Sequence, residues 1–162
     1  MKAIAKFTVL LCTLSVVAFA APNAQESFDK LKSLAGTWEG MSPKGPVTVS
    51  YRVMANGSSV VSEITGPEDN MISVFNMDKD RLLMTHYCGA GNQPRMVAST
   101  SPDGKTLTFD FVDGTNIMPS QAGHMRELVV SMPDGDHHRE QWVFATTDGK
   151  QMKETFELTR KK

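Results

Sequence analysis

His86, Cys88, Asn92, Gln93 and Arg95 fall within one stretch, Thr85-His86-Tyr87-Cys88-Gly89-Ala90-Gly91-Asn92-Gln93-Pro94-Arg95-Met96. They bring together an imidazole, a thiol, two carboxamides and a guanidinium. That mixture suits gripping a carbonyl-bearing or anionic group, with Arg95 as a fork for a carboxylate. In an extended segment His86 and Cys88 point the same way as Leu82 and Met84, and Gly89, Gly91 and Pro94 close a tight turn between two strands. The same residues have a purely local alternative. Asn92 and Gln93 would then satisfy turn backbone, His86 would bond a neighbouring strand, and Arg95 would pair with a surface acid.

A second set of charged residues lies further along, on strands whose apolar parity carries them. His124 and Arg126 share a face with Leu128, Val130 and Met132; Glu140 shares one with Trp142 and Phe144; Glu154 shares one with Met152, Phe156 and Leu158. If the apolar parity faces inward, Arg126 meets Glu140 or Glu154 inside as an ion pair able to fix a polar ligand group. A fully packed small core tolerates unpaired charge poorly, so this pattern favours a lumen that holds water or a ligand. The alternative is that these residues sit at strand ends and face water.

Other chemistries find little support. His86 and Cys88 give a metal two ligands where zinc wants three or four, and the adjacent His137 and His138 point to opposite faces, so no metal site is expected. No Gly-x-Ser-x-Gly elbow or phosphate-cradling glycine loop occurs, and Cys88 beside His86 is the only nucleophile-base suggestion, so no catalysis is expected.

The elements that must position these residues are mostly strands. Phe28, Leu31 and Leu34 recur at helical spacing among Glu26, Asp29, Lys30 and Lys32, which predicts one amphipathic helix over 24–34. From Thr37 onward the period becomes two. Strands are predicted at 37–42, 46–55, 58–65, 70–78, 81–89, 94–101, 105–112, 123–132, 138–147 and 150–159. Asn56-Gly57, Asp103-Gly104, Asp134-Gly135 and Asp148-Gly149 are hairpin dipeptides. Ten antiparallel neighbours joined by short turns lose their exposed edges by closing, so an all-β up-and-down barrel with one capping helix is expected; a two-sheet sandwich is the alternative. Asp113–Gly123 is the one long connection among the later strands, and its Ile117-Met118-Pro119 should fold over a barrel end.

Residues 1–20 read as a signal peptide: basic Lys2 and Lys6, apolar Phe7–Val17, then Ala18-Phe19-Ala20 ahead of Ala21-Pro22. The apolar run is too short for a confident membrane span, and a periplasmic or extracellular domain over 21–162 is expected. That domain carries 15 basic and 18 acidic residues, a net charge near −3. With no basic patch, nucleic acid and anionic membrane are poor partners. Cys88 alone remains after processing, so packing rather than a disulfide must stabilise the domain.

Gly36-Thr37-Trp38-Glu39-Gly40 after a short helix, followed by some ten strands, resembles the calycin superfamily of lipocalins, fatty-acid-binding proteins and nitrobindin-like domains. Together with the His86–Met96 block it is similar to a group of bacterial secreted proteins of lipocalin-like, DUF1579-related type. The likeness covers roughly residues 25–160. The likeness implies a barrel with no agreed activity. From the residues themselves, Gly36 should close the helix in a left-handed conformation and Trp38 should plug one barrel end. A monomeric or weakly dimeric barrel holding a small hydrophobic or amphipathic molecule with a polar end is expected. Through nitrobindin it also implies haem as a runner-up, with His86, His124 or His138 as conceivable axial ligands; a structural domain with a filled core is the third possibility.

Overall fold

The computed structural model describes residues 23–67 and 70–162; the leader read at 1–20 lies outside the described residues. The chain opens with helix α1 (Ala24–Lys32). Asn23 and Glu26 form a reciprocal cap: Glu26 N–H donates to Asn23 Oδ1 at 2.9 Å, and Asn23 N–H to Glu26 Oε2 at 3.0 Å. The helix ends two residues earlier than its apolar spacing predicts, and buries Phe28 and Leu31.

Ten strands follow: β1 (Gly36–Ser42), β2 (Gly45–Met54), β3 (Ser59–Thr65), β4 (Asn70–Asp78), β5 (Arg81–Tyr87), β6 (Gln93–Thr100), β7 (Thr106–Thr115), β8 (Gly123–Ser131), β9 (His137–Thr146) and β10 (Gln151–Arg160). Each pairs antiparallel with its neighbour in sequence, and β1 pairs with β10 to close a barrel. Closure excludes the sandwich alternative. The predicted strands match to within a few residues. β7 runs furthest past its prediction, because Asp113, Gly114 and Thr115 find partners in Arg95, Pro94 and Gln93 beyond a bulge at Arg95/Met96.

The two ends differ. At one, α1 packs against β2, β4, β5 and β6, and Ser27 Oγ lies 2.6 Å from Thr100 Oγ1. Trp38 is fully buried and its indole N–H donates to Leu34 O at 2.8 Å. The Arg160 guanidinium stacks over that indole at 4.1 Å while donating to Ala35 O, Ser33 O and Gly135 O. One arginine thus ties the last strand to the chain entering the first. The opposite end, here the loop end, carries the 88–92 and 116–122 connections and the β9–β10 hairpin.

Between the ends the interior is filled by Val49, Tyr51, Phe75, Leu82, Met84, Met96, Phe109, Leu128 and Phe156, all at 2% exposure or less. Side chains so covered have no water-sized space against them. The parity that put Arg126 inside fails for a physical reason. The β8–β9 register shifts between Met125 and Glu127, and the extra residue at Arg126 turns that side chain outward.

Candidate functional site

The interior holds a polar layer. Tyr51, Ser62, Ser73 and His86 are successive cross-strand partners on β2, β3, β4 and β5, so they form one row at a common level of the wall. All four are at 2% exposure or less. Ser73 Oγ lies 2.9 Å from His86 Nδ1. The row closes through β9: the His86 ring sits 4.7 Å from Trp142, whose indole N–H donates to Glu140 Oε2 at 3.0 Å, and the Tyr51 hydroxyl donates to Glu140 Oε1 at 2.6 Å. His138 Nε2 is 3.2 Å from Glu140 Oε1, with its ring edge-on to Trp38.

Burial sets the electrostatics of this layer. It pushes the Tyr51 phenol well above its ordinary pKa, with Glu140 acting in the same sense. It pushes His86 down to about 4, with the attraction of Glu140 opposing it, so this imidazole is neutral at physiological pH. His86 Nε2 and His138 Nδ1 are buried without hydrogen-bond partners.

At the loop end, the 88–92 turn and the 116–122 loop are latched together. Asn92, fully buried, donates through Nδ2 to Gln121 Oε1 at 3.1 Å and Gly123 O at 2.7 Å, and Gln121 Nε2 donates to Ala90 O. Beside this latch lies a cleft of about 290 Å³ lined by Ile117, Met118, Pro119, Gly123, His124 and Ala145. Its wall is mostly apolar, with His124, Thr146 and Thr147 as its polar members. Gly123 is required where cleft and latch meet: its φ is +146°, and a Cβ would come within 2.1 Å of Ala145 O. The His124 ring rests 4.3 Å from Phe111, and burial together with Arg126 lowers its pKa.

The structure separates what the sequence grouped. His86 points into the barrel and Asn92 into the latch. Cys88 is half-buried, its sulfur 3.5 Å from the Ala90 N–H, and burial raises its pKa. Gln93 is partly covered at the start of β6. Arg95 faces outward, because its neighbours Pro94 and Met96 take the inward parity, and it pairs with Asp113 at 2.5 Å on the surface. The expected interior pair of Arg126 with Glu140 or Glu154 is not formed: Arg126 is exposed, Glu140 is fully enclosed, and Glu154 lies near the rim 4.0 Å from Lys44. Among the described residues no cluster of three or more metal-ligating side chains occurs.

Haem fits these histidines poorly. His86 and His138 are sealed among neighbouring side chains, with no opening at an axial nitrogen, and His124 faces a cleft at the small end of ligand-pocket volumes. The residues that sequence reasoning missed are Ser62 and Ser73. Each interrupts an apolar parity, Val60-Ser62-Ile64 and Ser73-Phe75, and that interruption was the available signal.

No family model matches the chain, and no curated protein matches it. Among solved structures it is similar to Rv2717c from M. tuberculosis, with a TM-score of 0.57 and 15% sequence identity over 84% of this chain and 98% of that one. At that identity the likeness is one of fold, a β-barrel.

Proposed function

We propose that this chain is an exported, calycin-like carrier that holds a small, mainly apolar molecule with a polar end and performs no catalysis. The observation that carries the reading is the apolar cleft at the loop end, set between the 116–122 loop and the β9–β10 hairpin. Its position supports the reading: the helix and the Trp38–Arg160 stack close the other end, so the loop end is where the barrel can admit a guest. Half-exposed Met118 and Met152 at this end give it adaptable apolar surface of the kind that accepts varied partners.

A second reading, a structural barrel with a filled core, is favoured by the complete burial of Met84, Met96 and Phe109 in the middle of the barrel. Native mass spectrometry of protein recovered from its own host separates the two. The carrier reading expects a retained small molecule, lost or reduced when Ile117→Asp places a charge in the cleft. A bare polypeptide mass, together with no uptake of added alkyl-chain probes, would leave only the structural barrel.

A further inference from the structure

An antiparallel sheet with one face in water alternates apolar in and polar out, and four consecutive strands of this barrel depart from that rule. On β3, β4, β5 and β6 the inward positions belong to buried residues such as Val60, Phe75, Met84 and Met96. The outward positions between them hold Val61, Ile72, Val74, Leu83, Tyr87 and Val97. Register makes these one surface: Val61 pairs with Val74, Ile72 with Tyr87, and Leu83 with Val97. Ile72 is 37% exposed and Tyr87 46%. The sequence carries the same mark. Val60-Val61, Met71-Ile72, Leu82-Leu83-Met84 and Met96-Val97-Ala98 are unbroken apolar runs, the pattern of strands covered on both faces. Helix α1 covers the barrel's end and leaves this wall open. On β8 to β10, by contrast, the outward Val129 and Val143 stand singly among Glu127, Arg139, Gln141 and Lys153.

The charges at its border say what covers it. Glu63 on β3 and Arg95 on β6 lie one strand beyond the central β4–β5 pair, on opposite sides of it. Each is steered by an ion pair with a residue further out, Arg52 for Glu63 at 3.3 Å and Asp113 for Arg95. We propose that the outer wall of β3 to β6 is the face by which two copies of this chain associate as a reversible two-fold dimer. A two-fold axis along the β4–β5 seam lays β3 of each copy over β6 of the other. That sets Glu63 against Arg95 twice and Ile72 against Tyr87 twice, which is the self-complementarity such a contact requires. An apolar centre inside a charged rim is also the usual anatomy of a protein interface. Four strands about 4.8 Å apart, over some five to seven residues of length, offer roughly 400 Å² per copy. The pair thus buries about 800–1,000 Å², at the small end of specific interfaces, so the dimer forms only as concentration rises. The cleft at the loop end stays free in this arrangement, and the proposal does not depend on the carrier reading.

Sedimentation equilibrium of the full exported domain, from about 5 to 500 μM in about 0.15 M salt, tests this. The average mass should rise from one chain towards two across that range. Val74→Lys and Leu83→Lys each bring like charges into the contact from both copies, and each should raise the dimer Kd at least about tenfold. Gln141→Lys, on the outer face of β9, should leave it within about twofold. Thermal melts check that the variants are folded, and two central positions are used so that one misfolded variant does not decide the outcome. A mass of one chain up to the highest concentration overturns the proposal, whatever other partner the wall then meets. A dimer that both lysine variants leave intact, or that Gln141→Lys disperses, overturns it too, because the contact then lies on another face.

Discussion

The Tyr51 hydroxyl donates to Glu140 Oε1 at 2.6 Å, joining β2 to β9 across the inside of the barrel with both side chains closed off from water. The two strands are not neighbours in the sheet. The bond therefore spans the lumen, and it is one of the contacts that hold a carboxylate where burial would otherwise expel it. Tyr51→Phe keeps the ring and its packing on Phe75 but removes this donor. Loss of a hydrogen bond to a buried charged group should cost about 1–3 kcal/mol, read as a lowered urea midpoint with an unchanged m-value. A variant as stable as the parent would show that the layer is held by packing alone.

The barrel was legible because its signals are local and repeated: alternation in Val47, Val49 and Tyr51, and turn dipeptides such as Asp103-Gly104. Glu140 was legible too, since its parity with Trp142 carries it inward without interruption. Arg126 was not, because a bulge one residue away reverses the face and leaves no mark in the alternation. The grouping of His86 with Arg95 failed for a related reason. The two lie on opposite parities of paired strands, so nearness in sequence placed them on opposite sides of one wall. The row from Tyr51 to His86 depends on register across three hairpins, which sequence spacing alone does not set.

Stability should fall on mild acidification. His86 titrates at about 4 in the folded protein, against about 6.5 for an unfolded chain, because burial disfavours its charged form. Between those values the unfolded chain binds a proton that the folded one refuses, so stability is complete above about pH 6.5 and declines as pH drops towards 4. The shift is worth up to about 3 kcal/mol across that window. His124, lowered chiefly by its partial burial, adds to the loss in the same direction. Urea midpoints measured between pH 7.5 and 4.5 should show this slope, and His86→Gln should flatten it in part; an equal slope in the variant would place the titration elsewhere.

Arg160 should resist conservative replacement. Its guanidinium covers the Trp38 ring and donates to three backbone carbonyls, from Ser33, Ala35 and Gly135. A lysine ammonium cannot reproduce that planar fork. Arg160→Lys should therefore lose most of what Arg160→Ala loses, about 1–3 kcal/mol from the carbonyl bonds and the stack together. Thermal melts of the two variants beside the parent check it. A lysine variant that melts with the parent would show that charge alone, rather than the fork, secures this end.

The outward position of Arg95 makes it the residue to compare with the cleft. Its ion pair with Asp113 is solvent-exposed on both sides, and pairs of that kind contribute little once water and salt screen them. Arg95→Ala should therefore leave melting and alkyl-probe binding within measurement error. Ile117→Asp should leave melting similar and weaken a bound alkyl chain at least about tenfold, because it sets a carboxylate against the guest's apolar surface. Parallel titrations of the two variants with the same probe decide which wall receives the guest. A loss in Arg95→Ala with none in Ile117→Asp would move the site to the surface cleft of about 310 Å³ that Arg95 shares with Arg81, Leu83 and Asp113.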